Sequence, residues 1–302
     1  MKILLATDGL SHSRNAVDLL KRIPLASPGN DVRVLVVVPT TRSAERSAKR
    51  ALRIALRRKG ENLARGEALR LQDAGCAVHT VLLEGHVAEC IIDTAEQFRA
   101  ELVVVGSRGL SGARRFLLGS VSQKTMKYAP CSVLVTRQPS EPTSSQGMTD
   151  GAPLRILVAF DSSQSAQAAV ENVASLPLLD DTEITIMTTL PLIRHFRTAI
   201  IQTTNWEWWQ RKKAAKAALE SAALVLRRAT PHVATKLREA SDETKEILKV
   251  ADELNTDIIV LGHKGKSEIK RFLLRSVSNR VTHHAKCSVW VVRRPSRTSR
   301  QD

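Results

Sequence analysis

The chain is written twice, and no other feature limits its fold as strongly. Ile3-Leu4-Leu5-Ala6-Thr7-Asp8 returns as Ile156-Leu157-Val158-Ala159-Phe160-Asp161 at an offset of 153. Arg115-Phe116-Leu117-Leu118-Gly119-Ser120-Val121-Ser122 returns as Arg271-Phe272-Leu273-Leu274-Arg275-Ser276-Val277-Ser278 at an offset of 156, and Cys131-Ser132-Val133 as Cys287-Ser288-Val289. Offsets this close leave three residues of net length difference, so the simplest account is two similar domains in tandem. The predicted boundaries are 1–137 and 154–295, joined by 138–153, a stretch rich in Pro, Ser, Thr and Gly without apolar periodicity. At 302 residues and 43% apolar composition, each half has enough material for its own core.

Within a half, buried strands alternate with amphipathic helices. Residues 2–7 form a continuous apolar run ending in Asp-Gly, as expected for a strand covered on both faces. Helical spacing follows over 13–23, then a strand over 32–38 and a long basic helix from about 42 to 75. A strand over 77–83 precedes Val87, Cys90, Ile91, Thr94, Ala95 and Phe98, which fall on one helix face. A strand over 102–105, a helix over 120–127 and a strand over 131–136 complete the unit. This order implies α/β domains with right-handed crossovers and a mostly parallel sheet between two helix layers. The second half repeats it, less regularly over 190–204.

Four cysteines lie far apart without a CxxC pair, which excludes a disulfide scaffold and a zinc module and fits a reducing cytoplasm. The apolar run at the N-terminus is too short for a signal peptide, and no stretch approaches the roughly 18 residues of a spanning helix, so neither secretion nor membrane insertion is expected. The net charge of +16 suggests an anionic ligand or partner. It divides evenly: 22 Lys and Arg against 14 Asp and Glu over 1–152, and 24 against 16 over 153–302. That is a property of the duplicated chain more than of a dedicated nucleic-acid arm.

In an open parallel sheet a ligand binds outside the carboxyl ends of the strands. After the fourth strand come Gly106-Ser107-Arg108-Gly109, nine residues, and then Gly119-Ser120-Val121-Ser122 opening a helix. Glycines let backbone amides approach an anion, and the amides and positive end of a helix N-terminus favour phosphate. Ser120 and Ser122 either add hydroxyl donors or cap the helix. On the residues alone a second reading stands, in which Gly106 and Gly109 only turn the chain and Ser120 only caps. No Gly-Lys-Ser/Thr follows, so this is not a Walker loop.

Gly-x-x-Gly, nine residues and Gly-Ser-Val-Ser after an apolar strand, with Asp closing the first strand, resembles the ATP-binding pattern of the universal stress protein family. The resemblance covers nearly the whole chain, once per half, and so implies a tandem two-domain member. It implies two Rossmann-like domains of the adenine-nucleotide alpha hydrolase-like kind, each a mostly parallel five-stranded sheet with helices on both faces. It further implies ATP as ligand, Mg2+ being a further candidate. Asp8 and the strand end around Val37 would hold ribose and adenine, and Gly106, Gly109, Gly119, Ser120 and Val121, with Ser122, would surround the phosphates. An acidic group at a strand end suits ribose hydroxyls. Its alternative is a cap for the helix beginning near residues 11–13.

The second half departs from this pattern. Gly262-His263-Lys264-Gly265 and the nine intervening residues are kept, as are Asp161, Ser276 and Val277, but the third glycine is Arg275. An arginine there either closes the triphosphate space or reaches over to neutralise it. Weaker or altered nucleotide binding in the second half is the expectation.

Three other features carry alternatives. The basic run 42–59 contains Arg42, Arg46, Lys49, Arg50, Arg53 and Arg57 interleaved with Leu52, Ile54 and Leu56. It could track nucleic-acid phosphates or an anionic surface, but without a recognition motif the solvated-face reading is preferred. Trp206, Trp208 and Trp209 sit together before a basic helical run; they either pack on their own domain or anchor a partner, and adjacent tryptophans cannot all face one side. His283 and His284 show no metal-ligand spacing. The apolar terminal strands 131–136 and 287–292 would be exposed edges if unpaired; the resemblance implies that they pair between domains and that the chain forms a homodimer. The sequence thus reads as a nucleotide-dependent stress regulator or scaffold binding ATP chiefly in its first half. No nucleophile, base and orienter form a catalytic constellation, so at most slow ATP hydrolysis is expected. The alternatives are a polyanion- or nucleic-acid-binding module acting through 42–59 and a slow ATP hydrolase.

Overall fold

A computed structural model of the chain describes residues 1–40, 46–107, 118–138, 152–192, 201–263 and 277–293. It divides into two compact units, built on Met1–Pro139 and Ser140–Arg293.

In the first unit β1 (Lys2–Ala6), β2 (Asp31–Pro39), β3 (Ala77–Gly85), β4 (Leu102–Gly106) and β5 (Ser132–Thr136) alternate with α1 (Ser11–Arg22), α2 (Arg46–Gln72), α3 (Val87–Phe98) and α4 (Ser120–Tyr128). The strand order is β3-β2-β1-β4-β5, parallel throughout. Strand β1 therefore has β2 on one side and β4 on the other, with Ala6 opposite Leu35 and Val105. The winding direction reverses between β1 and β4, which opens a crevice at their carboxyl ends.

The apolar runs make this arrangement obligatory. Ile3, Leu4, Leu5, Val103 and Val104 are fully buried, because helices α1 and α2 cover one face of the sheet and α3 and α4 the other. Full burial of such a side chain contributes about 1.5–3 kcal/mol, so the central strands dominate the core. Along α2, observed over 46–72 where the sequence suggested 42–75, Leu52 and Ile54 are exposed. Arg53 and Arg57 are exposed and pair with Glu84 at 2.7 and 3.8 Å, so these two arginines lie on a solvated face partly neutralised from β3. Arg42 lies outside the described residues.

The second unit repeats the plan with β6 (Arg155–Ala159), α5 (Gln164–Ala174), β7 (Glu183–Pro191), α6 (Ile201–Leu226), β8 (Val233–Ala240), α7 (Glu243–Glu253), β9 (Ile258–Gly262), α8 (Val277–His284) and β10 (Ser288–Val292). Its strands run β8-β7-β6-β9-β10, again all parallel, and its reversal falls between β6 and β9. Among the described residues no helix is long and apolar enough to cross a membrane.

Candidate functional site

At the carboxyl end of β1 the chain turns sharply. The Thr7 amide still donates to Leu35 O at 3.0 Å, then Gly9 takes φ +76°, the Gly9 amide donates to Thr7 Oγ1 and the Leu10 amide to Asp8 Oδ1 at 3.1 Å. This Asx turn leaves Asp8 exposed beside the crevice. The N-cap of α1 is Leu10, which supplies no side-chain cap. Val37 stands half-buried on β2, two residues past Leu35.

The fourth strand ends in a tighter construction. Gly106 pairs with Thr136, and the Ser107 amide donates to Thr136 O at 2.8 Å. The Ser107 carbonyl then accepts from the Gly119 amide at 2.8 Å and from the Ser122 hydroxyl at 3.1 Å. These two bonds pin the start of α4 to the end of β4. Gly119, not Ser120, is the N-cap, in extended conformation (φ −66°, ψ 157°) and with no side-chain cap; Ser120 is the exposed first helical residue. The cap reading of Ser120 is thereby corrected: a serine one position inside the helix has its backbone already helical and cannot bridge to the N2 or N3 amides as an N-cap does. Ser122 is buried, and its hydroxyl also reaches Gly119 O at 3.2 Å, so it serves as an internal tie. Val121 is half-buried, and Gly109 lies outside the described residues. The structure thus brings Gly106, Gly119, Ser120 and Val121 around one helix N-terminus.

Ser107, directly after Gly106, has no role that the sequence pattern alone predicts. It is fully buried, and its Oγ has no hydrogen-bond partner among the described residues. A polar residue directly after an all-apolar strand was the available signal.

The second unit builds the same frame. The His263 amide donates to Val292 O at 2.9 Å and the Ser278 hydroxyl to His263 O at 3.2 Å, reproducing the ties of Ser107 and Ser122. Val277 opens α8, half-buried; Gly265, Arg275 and Ser276 lie outside the described residues. Asp161 Oδ1 accepts from the Ser163 amide at 2.9 Å, with Ser162 at φ +62° in the position of Gly9. Gly262 is needed for packing: a Cβ there would stand 2.5 Å from the backbone carbonyl carbon of Ser165, at the start of α5.

The helix starts differ between units. In the first, α1, α3 and α4 begin after Leu10, His86 and Gly119 without side-chain caps. In the second, the Ser163 hydroxyl accepts from the Ala166 amide at 3.1 Å for α5. Asp242 Oδ1 accepts from the Thr244 and Lys245 amides at 3.0 and 3.2 Å for α7. Arg280 donates to Asp242 Oδ2 at 2.6 Å, and this bond, aided by the two amides, holds the Asp242 carboxyl below its ordinary range. Among the described residues no group of three or more His, Cys, Asp or Glu could hold a metal ion. A cavity of about 320 Å³ lies elsewhere, between α2 and β3, lined by Arg65, Leu69, Gln72, Thr80 and Leu82 among others.

Residues 1–137 and 154–293 each match the model of the universal stress protein family. The chain belongs to that family. A universal stress protein of Methanocaldococcus jannaschii, MJ0531, is 31% identical over 147 residues, covering 46% of this chain and 84% of that protein. One from Thermus aquaticus is 34% identical over 137 residues, 45% of this chain and 97% of its own length. The crystal structure of a universal stress protein from Archaeoglobus fulgidus shares the fold across both halves: TM-score 0.62 at 20% identity, covering 98% of this chain and 97% of that one. This universal stress protein is accordingly a tandem repeat of the family domain, two Rossmann-like α/β units.

Proposed function

We propose that the first half binds an adenine nucleotide, ATP, across the carboxyl ends of β1 and β4, and that the protein acts as a nucleotide-dependent stress-response regulator or scaffold. The observation that carries this reading is the N-terminus of α4, which has no side-chain cap among the described residues, is tied to the end of β4 through Ser107 and lies at the reversal of strand order. Such a terminus concentrates unsatisfied amides and about half a positive charge, which a phosphate satisfies. In this reading Gly106, Gly109, Gly119, Ser120 and Val121 surround the phosphates, and the Ser107 hydroxyl lies beneath them. Asp8 and the backbone near Val37 face ribose and adenine. Mg2+ bound there would be carried mainly by phosphate oxygens and water, as is usual for this ion.

In the second half the retained Asp161, Gly262, Gly265, Ser276 and Val277 make a weaker site, because Arg275 replaces the third glycine and the Ser163 hydroxyl already caps α5 just after Asp161. Bound nucleotide biases the protein between conformations that partners distinguish.

The test is to denature purified protein and identify the released nucleotide by mass, in the parent and in Gly119→Arg. The expected result is an adenine nucleotide at about one per chain in the parent and none in the variant. The same nucleotide retained in Gly119→Arg overturns the site.

A further inference from the structure

Helix α6 of the second half carries an outward stripe that the nucleotide reading leaves unused. Trp206 and Trp209 are 66% and 61% exposed, an unusual state for the largest apolar side chain. Lys213 and Lys216 are exposed as well, and residues 206, 209, 213 and 216 follow the i, i+3, i+7, i+10 spacing of one helix side. The base of the stripe is fixed. Trp208 is half-buried and meets Trp209 edge to face at 5.3 Å. Lys212 holds its ammonium 4.5 Å from the Trp208 ring centre and 3.0 Å from Glu239 Oε1 on β8. Arg211, Arg227 and Arg228 add exposed positive charge along and just beyond the helix, against one exposed acid, Glu207. The other acid, Glu220, is half-buried and accepts from Thr235 Oγ1 at 2.9 Å.

We propose that this face binds single-stranded nucleic acid, bases stacking on Trp206 and Trp209 while Lys213 and Lys216 meet phosphates. The chemistry is that of a sequence-tolerant stacking platform in a positive field, where every base offers a π-face and every nucleotide a negative charge. Two neighbouring indoles one helical turn apart suit consecutive splayed bases. A bilayer suits the face less well. Lys213 lies on the stripe between Trp209 and exposed Leu224, so among the described residues no uninterrupted apolar strip exists to enter the acyl region. Duplex nucleic acid, with its bases stacked away, would engage the lysines alone.

The test uses full-length protein with ATP at saturation, so that the first-half site is constant, and a fluorescein-labelled 20-nucleotide oligothymidylate read by anisotropy. Binding is expected to weaken with salt, to fall about tenfold for each of Trp206→Ala and Trp209→Ala, and to survive largely in Trp209→Phe. Lys213→Gln with Lys216→Gln is expected to flatten the log–log salt slope by about 1.4. Far-UV circular dichroism checks that each variant folds, and both indoles are exposed enough for removal to be tolerated. Leaving ATP out is expected to leave oligonucleotide binding unchanged, which separates this face from the nucleotide site. No binding by the parent, parent-like binding by both Trp206→Ala and Trp209→Ala, or equal binding of a 20-base-pair duplex overturns the proposal. So does indole-dependent binding to phosphatidylserine vesicles in place of the oligonucleotide.

Discussion

Leu10, His86 and Gly119 leave the helix starts of the first half without side-chain caps, whereas Ser163 and Asp242 close two of the corresponding starts in the second. Strand order, crossover pattern and the ties at Ser107 and His263 are the same in both. At the α1/α5 and α3/α7 starts, two copies of one fold have thus taken opposite solutions to one problem, the orphan amides that every helix N-terminus presents. A self-capped terminus gains stability and loses its appetite for an external anion. An uncapped one is less stable alone and can take a ligand. The edge strands diverge in parallel: β8 is laced with ion pairs from Lys236 and Arg238 to Glu253, while the only acid on β3, Glu84, is paired to α2.

All four tryptophans lie in the second half, so their fluorescence reports its unfolding separately. The largest expected effect is Gly262→Ala, whose new methyl meets the Ser165 backbone and not a movable side-chain tip. Fluorescence-detected urea unfolding should show the second half weakened by about 3 kcal/mol. An unchanged midpoint would mean that α5 shifts freely, and the packing account of Gly262 would fail.

Asp242→Ala comes next, at about 2 kcal/mol at neutral pH, because it removes a cap and strands Arg280. Its pH dependence has a definite sign. The folded carboxyl titrates below its unfolded value, so its contribution is complete above the unfolded pKa near 4 and is lost as pH falls through the lower folded one. Parent and variant stabilities should converge as pH falls below that range; a gap that does not narrow as pH falls contradicts the capping account. Ser163→Ala should cost about 1 kcal/mol with little pH dependence, and no loss at all would erase half of the contrast in capping.

The smallest effect is expected in the first half, with the opposite sign. Glu67 on α2 is only 3% exposed and bonds Arg70 at 2.9 Å, and burial pushes its carboxyl above the ordinary value despite that arginine. A raised folded pKa gives stability that is complete below the unfolded value and declines as pH rises through the folded one. Hydrogen exchange of α2 amides should therefore show Glu67→Gln gaining on the parent, by less than about 1 kcal/mol, as pH rises from 4 to 7. A gap that shrinks over that range would reverse the assignment.

Much of this was legible in the residues. The repeated apolar run ending in Asp8 and Asp161 encodes its strand in neighbours along the chain, because a strand buried on both faces needs only consecutive apolar residues. The exact part each serine plays was not legible. Ser122 reads equally as ligand donor or cap until its partner, the Ser107 carbonyl fifteen residues earlier, is in place. The same holds for Asp242 and Arg280, 38 positions apart, and for Gly262 against Ser165.

The sequence by itself determined the duplication, the α/β order and the family. Each rests on periodicity and short-range backbone preference, which act between neighbours. Only the tertiary structure decided which helix starts close on themselves, which glycine leaves room for a passing backbone, and which tryptophans stay in water. Hydrogen bonds and van der Waals contacts act over a few ångströms, and folding alone sets those distances between residues remote in the chain.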